Sequence, residues 1–511
     1  MRRAVKIVVP LLALCAVLAV AWGAMMLESP VTSEELDQLV GTDWYSVSIY
    51  GQPNGYARIE GALVDDGAEG GPRLRVSEDL RVVIRLAGNE LEASKSQVTV
   101  YDEQLRPISI EMEKNELGRS ARLSARLEDG AMVVRTDSAE PGAPDEAVKR
   151  LELPDDFASD VLISVRALRG QLSPGDSFTY AVYDPEVDVI DSREVSVDRR
   201  EAIGETEALV VEAKSAKLGI SVVSWIDDEG KLLRQTVPGL MDLTLERVSE
   251  EEALASLVPF EVNNTIEVAE HLPLVRSLRE ITLRVTRNIG PAEELLTQTH
   301  RQSIVSDGDD AIVTISREHP PAETLPLPIT GESMEQYLRP TTHVQSDDPR
   351  IVETAREIVG DETDSWGAAQ KLCAWVKRNM HAVSSEPRPI TALEVLDSMR
   401  GDCTEHAILM AALGRAVGLP TKLVTGLAYV GGSFGYHAWT EVYVGRWVEM
   451  DPSWGEMTVD AGHLQIFASS LDEASYARAS LATGRTIGAI GMQVEQYTTA
   501  DGRTVRPGEE Q

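Results

Sequence analysis

The sequence predicts an α+β protein: an antiparallel β-rich region through most of the first 320 residues, then a C-terminal domain that opens with helices and ends in strands. Three observations carry this. Short alternating or β-branched runs, separated by Gly, Pro and Asp, recur from Trp44 to about Arg247. Five prolines fall between Pro320 and Pro340, a composition that resists both helices and continuous strands. Beyond them apolar residues move to helical spacing, as at Trp366, Ala369, Leu372, Cys373 and Val376.

At 511 residues the chain exceeds one core, and roughly 100–200 residues per domain gives about three domains. Hydrophobic residues make up 43% and charged residues 26%, which excludes wholesale disorder and a polytopic membrane protein. Forty-eight Lys and Arg stand against 83 Asp and Glu, a net charge of −35. That charge repels a phosphate backbone, so nucleic acid is excluded as a partner.

Taken in order, residues 1–29 read as a membrane anchor or signal peptide. Arg2, Arg3 and Lys6 precede an uncharged stretch from Ile7 to Leu27. Its length is nearer the roughly 20 residues a bilayer needs than the 7–15 of a cleaved signal core, although small residues suited to cleavage occur at Ala21 to Ala24. The positive-inside rule places the basic residues in the cytoplasm. The expectation is a single pass through the inner membrane with the rest periplasmic or extracellular, or a secreted protein if the leader is removed.

Residues 40–250 form the expected β-rich domain, with Asp65-Asp66-Gly67, Glu128-Asp129-Gly130 and Asp227-Asp228-Glu229-Gly230 as turns. No titratable cluster stands out there, so a scaffold is favoured over a ligand-binding module. A smaller β segment follows at 263–320, where Ile281 to Val285 alternates and Ala311 to Ile315 is β-branched. Residues 320–344 read as a Pro-rich linker, 345–500 as the C-terminal domain with a last strand between Arg485 and Tyr497, and 501–511 as a loose tail.

The cysteines are Cys15, Cys373 and Cys403, and no disulfide framework can be built from them. Cys373 lies on the apolar helical stripe and reads as a packing thiol. Cys403 lies in Gly401-Asp402-Cys403-Thr404-Glu405-His406-Ala407, ahead of Ile408, Leu409, Ala412, Leu413, Ala416 and Val417, one face of a buried helix. Asp402 and Glu405 have capping-box spacing, which starts the helix at Asp402 and puts Cys403 in its first turn. There the helix dipole favours a thiolate, while Asp402 and Glu405 oppose it. A cationic neighbour is needed.

His437 is the candidate. Tyr436 to Val444 alternates as a strand with His437, Trp439, Glu441 and Tyr443 on one face, and Trp447 to Asp451 returns after a turn at Gly445-Arg446. A two-residue loop would turn Asp451 away from His437. A three-residue loop pairs Tyr443 with Trp447 and makes His437 the diagonal same-face neighbour of Asp451, within reach of an imidazole and a carboxylate. The second register is expected. Thiol, imidazole and carboxylate are the parts of an activated nucleophile.

These blocks, with Gly418-Leu419-Pro420 between them and Asp451-Pro452 after, resemble the transglutaminase-like superfamily, exported bacterial type, over roughly Asp347 to Gly455. The resemblance implies a papain-like fold. It implies Cys403 as nucleophile, with its own backbone N–H as an oxyanion donor, His437 as general base and acid, and Asp451 as the residue orienting His437. Active members attack an amide carbonyl to form a thioester, which water or an amine resolves.

The function this supports is peptidase or amidase hydrolysis of protein or cell-wall peptide, with no cofactor and no metal requirement. A protein-crosslinking transglutaminase and an inactive binding or assembly scaffold are the alternatives. Metal binding by Cys403, His406, His437 and His463 is the weaker reading of the same residues, since zinc-site spacing is absent. Tyr436, Trp439 and Trp447 flank the site as candidate walls, although Trp in a hairpin is more often core.

Overall fold

The computed structural model describes residues 30–507 apart from 65–72, 87–88, 117–118, 139–146, 160, 187, 263–264, 271, 289 and 384–390. The expected anchor or signal peptide at 1–29 lies outside the described residues. Among those described, no helix is long and apolar enough to cross a membrane. The chain divides into two compact units at Val262/Asn263.

The first unit is a 15-stranded sheet. Its alternating sequence explains the construction: one residue in two is buried, as in Val189–Ile203, where Asp191, Arg193, Val195 and Val197 point inward. Neighbouring strands run back along the sequence from Ala147–Glu152 to Gly41–Ile49, which pairs antiparallel with Leu243–Val248, and then back again to Ser177–Asp184. The sheet curls until its two ends meet. Lys149 Nζ, at one end, donates to the Asp188 carbonyl beside the other at 2.7 Å, and Tyr183 joins Ile110, Met112, Leu123 and Met132 in one cluster.

The interior also holds charge. Lys95 Nζ is 2.9 Å from Glu186 Oε1, and Arg193 is paired with Asp184 at 2.9 Å and with Asp191, all of them buried. The sequence hid this cluster because Lys95 and Glu186 lie far apart along the chain. The acidic run after Ser249 is a helix, Glu250–Ala255, closed at its start by a Ser249/Glu252 capping box.

The second unit has a helical layer against one sheet and a second sheet beside it. Its main elements are β1 (Glu280–Arg287), β2 (Gln302–Asp307), β3 (Asp310–Ser316), α1 (Pro349–Val359), α2 (Ser365–Asn379), α3 (Ala392–Ser398), α4 (Cys403–Ala416), β4 (Thr421–Val430), β5 (Ser433–Tyr443), β6 (Trp447–Met450), β7 (His463–Ser469), α5 (Glu473–Gly484) and β8 (Ile490–Thr498). One sheet places β4 between β5 and β7, with β6 on the outer side of β5. Helices α1, α2 and α3 pack on α4, and α4 packs on β5.

Three features differ from the sequence reading. The small β segment is not set apart by a linker: β1 pairs with β3 and also with β8, the last long strand of the unit. The Pro-rich stretch is a strap tied down on this unit. Leu325 N donates to the Val444 carbonyl, Leu327 N to Thr363 and Ile329 N to Gly418, at 3.1, 2.8 and 2.9 Å. Proline composition resists regular structure, but the remaining N–H groups still seek acceptors, and here they find them on the domain surface. The expected loose tail is also partly bound, because Thr504 and Val505 pair with Thr498 and Tyr497.

Candidate active site

Helix α4 begins as its sequence dictates. Asp402 is the N-cap, its side chain accepting from Thr404 N at 3.0 Å, while Glu405 Oε2 accepts from Asp402 N at 2.6 Å. This reciprocal box fixes Cys403 as the first helical residue, 4% exposed. Its Sγ donates to Asp402 Oδ1 at 3.7 Å. The helix stops where Gly418 takes φ +78°, and a Cβ there would overlap Pro328 of the strap.

The hairpin β5–β6 supplies the other two candidates. Tyr443 pairs with Trp447 and Thr440 with Met450, so the loop is Val444-Gly445-Arg446 and the register is the three-residue one. His437 Nε2 consequently meets Asp451 Oδ2 at 2.8 Å, and both residues are buried. The other oxygen, Asp451 Oδ1, accepts from Ser453 N and Oγ at 2.7 Å each and from Trp454 N at 3.1 Å. Burial opposes the charge on Asp451, but the His437 ring and then His463 hold its carboxyl far below the usual range. His437 Nδ1 is buried without a hydrogen-bond partner among the described residues. With Nε2 engaged by Asp451, Nδ1 is the atom left for a reacting group.

The remaining candidates divide. Trp439 is fully buried beside His437, ring centroids 6.0 Å apart, and its Nε1 donates to Glu449 Oε2 at 2.8 Å. Glu449 is clamped by Arg301 Nε and Nη2 at 2.9 and 2.7 Å. Tyr436 is not a wall of the site. Strand alternation turns it to the other face, where its hydroxyl accepts from Thr486 Oγ1 at 3.2 Å. Trp447 sits at the far end of the hairpin, against Tyr337, Tyr443 and the Lys422 ammonium. The residue that does cover His437 is Trp454, half-buried and stacked on its ring at 4.4 Å. It lies past the last recognised block, and its only signal was an aromatic three residues beyond Asp451.

Cys373 and His406 do not compete for these roles. Cys373 is buried, and burial followed by the nearby Asp451 charge pushes its thiol up to about 12. His406 Nδ1 bonds the Asp402 carbonyl, and burial pushes its ring down to about 4, so it stays neutral. His463 and Asp460 complete the cluster. His437, Asp451 and His463 each offer one donor atom within 4.8 Å of the others, as do Glu456, Asp460 and His463. In the first group His437 Nε2 and Asp451 Oδ2 already bond each other at 2.8 Å.

Residues 352–452 match the family model described as the transglutaminase-like superfamily. The C-terminal unit therefore carries a transglutaminase-like core, running from α1 to the residue after Asp451. Solved structures resemble the chain more faintly. The β-barrel-like protein of DUF1849 from Brucella abortus is 13% identical, covering 40% of this chain and 93% of that one at a TM-score of 0.31. The periplasmic domain of TgpA from Pseudomonas aeruginosa, bound to ethylmercury, is 16% identical, covering 38% and 91% at a TM-score of 0.28. Neither likeness assigns a function. A search of curated proteins returned no match.

Proposed function

We propose that the C-terminal unit is a cysteine amidase or peptidase acting on protein or cell-wall peptide outside the cytoplasm, with Cys403, His437 and Asp451 as its triad. The observation that carries this reading is the buried His437–Asp451 bond with His437 Nδ1 left unpartnered, on the strand against which the Cys403 helix packs. The Cys403 thiolate attacks the amide carbonyl carbon, and His437 gives its proton to the leaving amine. A thioester remains. His437 then takes a proton from water, the resulting hydroxide displaces the sulfur, and a carboxylic acid and the thiol–imidazole pair are regenerated. The Cys403 backbone N–H, at the helix start, is the proposed oxyanion donor.

Hydrolysis is preferred to crosslinking because water outside the cell outcompetes protein lysines unless the site excludes it. Location outside the cytoplasm rests on the basic-then-apolar leader in the sequence. The test is incubation of the full-length protein with Gln-containing and cell-wall peptides, with and without a labelled amine. Release of ammonia or cleaved peptide, lost in Cys403→Ala, is expected. Exclusive amine incorporation would replace hydrolysis by acyl transfer, and a Cys403→Ala protein that keeps its cellular role would replace the enzyme by a scaffold.

A further inference from the structure

A second buried histidine stands behind the His437–Asp451 pair. His463, at the start of β7, has no solvent exposure. Its Nδ1 is 3.0 Å from Asp460 Oδ1, and its Nε2 is 3.6 Å from Asp451 Oδ2, an ion-pair separation. Because Asp451 Oδ1 is saturated by Ser453 and Trp454, Oδ2 is left to the two imidazoles alone. Their rings lie 5.8 Å apart, and Trp439 and Trp454 enclose His463 edge-on at 5.2 and 5.1 Å.

The charged groups around His463 are few. Asp451 and Asp460 face its two ring nitrogens. Glu456 also brings a carboxylate oxygen within 4.8 Å of His463 and is paired with Arg276 at 2.8 Å. Arg301 Nη2 donates to the His463 carbonyl at 3.2 Å, and the Arg301 charge is met by Glu449. His437 is the remaining titratable neighbour. Burial works against a charged His463 ring, but Asp451 and Asp460 overcome it and push the ring up to about 10. Asp460 is in turn held below the usual carboxylate range by His463, against its own burial.

We propose that His463 is a positioning residue that pins Asp451 Oδ2 beside His437 and sets the electrostatic balance under which Cys403 loses its proton. This rests on reading Cys403, His437 and Asp451 as the triad. The cation at His463 offsets the buried Asp451 carboxylate, so less negative charge opposes formation of the thiolate. Asp460 holds the ring in place from the other nitrogen, in the turn where Gly462 N donates to Asp460 Oδ1 at 2.8 Å.

The test is the pH profile of Cys403 alkylation by iodoacetamide in the full-length chain, resolved by peptide mass, in wild type, His463→Gln and His463→Asn. Each variant is neutral, and each amide can replace a donor toward one of the two carboxylates. Losing the cation is expected to move thiolate formation up by about one pH unit, the order of shift that the loss of one buried charge produces. A structural filler would not move the profile. Folded variants with the wild-type profile would overturn the proposal while leaving the triad standing. Loss of cooperative unfolding in both variants would assign His463 a structural role instead. A wild-type protein with no thiolate below pH 7 would overturn the triad reading, and this proposal with it.

Discussion

His437 Nε2 and Asp451 Oδ2 meet at 2.8 Å across a hairpin whose three-residue turn alone puts them on one face. A turn one residue shorter would carry Asp451 to the opposite face, since side chains alternate along a strand. Asp451→Asn keeps the shape but leaves an amide where the carboxylate accepts the His437 proton. The expected result is a folded protein whose kcat on an amide substrate falls by about 10³–10⁴-fold. Steady-state kinetics checks this, and a loss under tenfold would remove Asp451 from the mechanism.

The same cluster predicts how stability follows pH. His463 is raised to about 10, so its contribution is fully present below the unfolded value of about 6.5 and is lost as pH rises through 10. Asp451 is depressed, so its contribution is present above about pH 4 and is lost only as pH falls far into the acid range. The melting temperature of wild type should therefore decline from about pH 7 to 10, and His463→Gln should decline less. Calorimetry at several pH values decides this; equal declines would contradict the charged ring.

Arg301 and Glu449 predict a stability effect from the layer behind Trp439 and His463. Both are buried, and the pair ties the loop before β2 to the strand that holds the Trp439 indole. Arg301→Ala leaves a buried carboxylate unpaired, at a cost of about 3–5 kcal/mol. Denaturant titration should show the midpoint falling, with recovery in the Arg301→Met, Glu449→Met double variant. Equal loss in single and double variants would show that the pair's charge is not what matters.

Gly418 predicts a local strain. Its φ of +78° and the overlap a Cβ would make with Pro328 give Gly418→Ala a cost of about 1–3 kcal/mol. The measurement is again the denaturant midpoint, and an unchanged value would mean that the strap yields freely.

What the sequence revealed was local. Asp402 and Glu405 are three residues apart, so the box that starts α4 could be read directly, and the β5–β6 register followed from alternation and one loop length. What it concealed was long-range. Arg301 reaches Glu449, β1 takes β8 as a partner, and the prolines of the strap gave no sign that Leu327 and Ile329 would bond to Thr363 and Gly418. His463 enters the sequence reading only as one of four candidates for a weakly supported metal site. Its value lies in facing Asp451, and that depends on β7 lying beside β4, which no local pattern encodes. Trp447 is a wall candidate by sequence and Trp454 is not, yet the turn after Asp451 brings Trp454 onto His437 while Trp447 remains at the distant end of the hairpin.

The most direct test of the central claim is the rate of Cys403 alkylation against pH in the full-length protein, beside a His437→Ala variant. Cys373, buried and raised to about 12, should stay unlabelled and serve as the internal control. An assembled nucleophile predicts thiolate reactivity below pH 7 that disappears in the variant. Titration near the free-thiol value of about 8.5 in both proteins would contradict it.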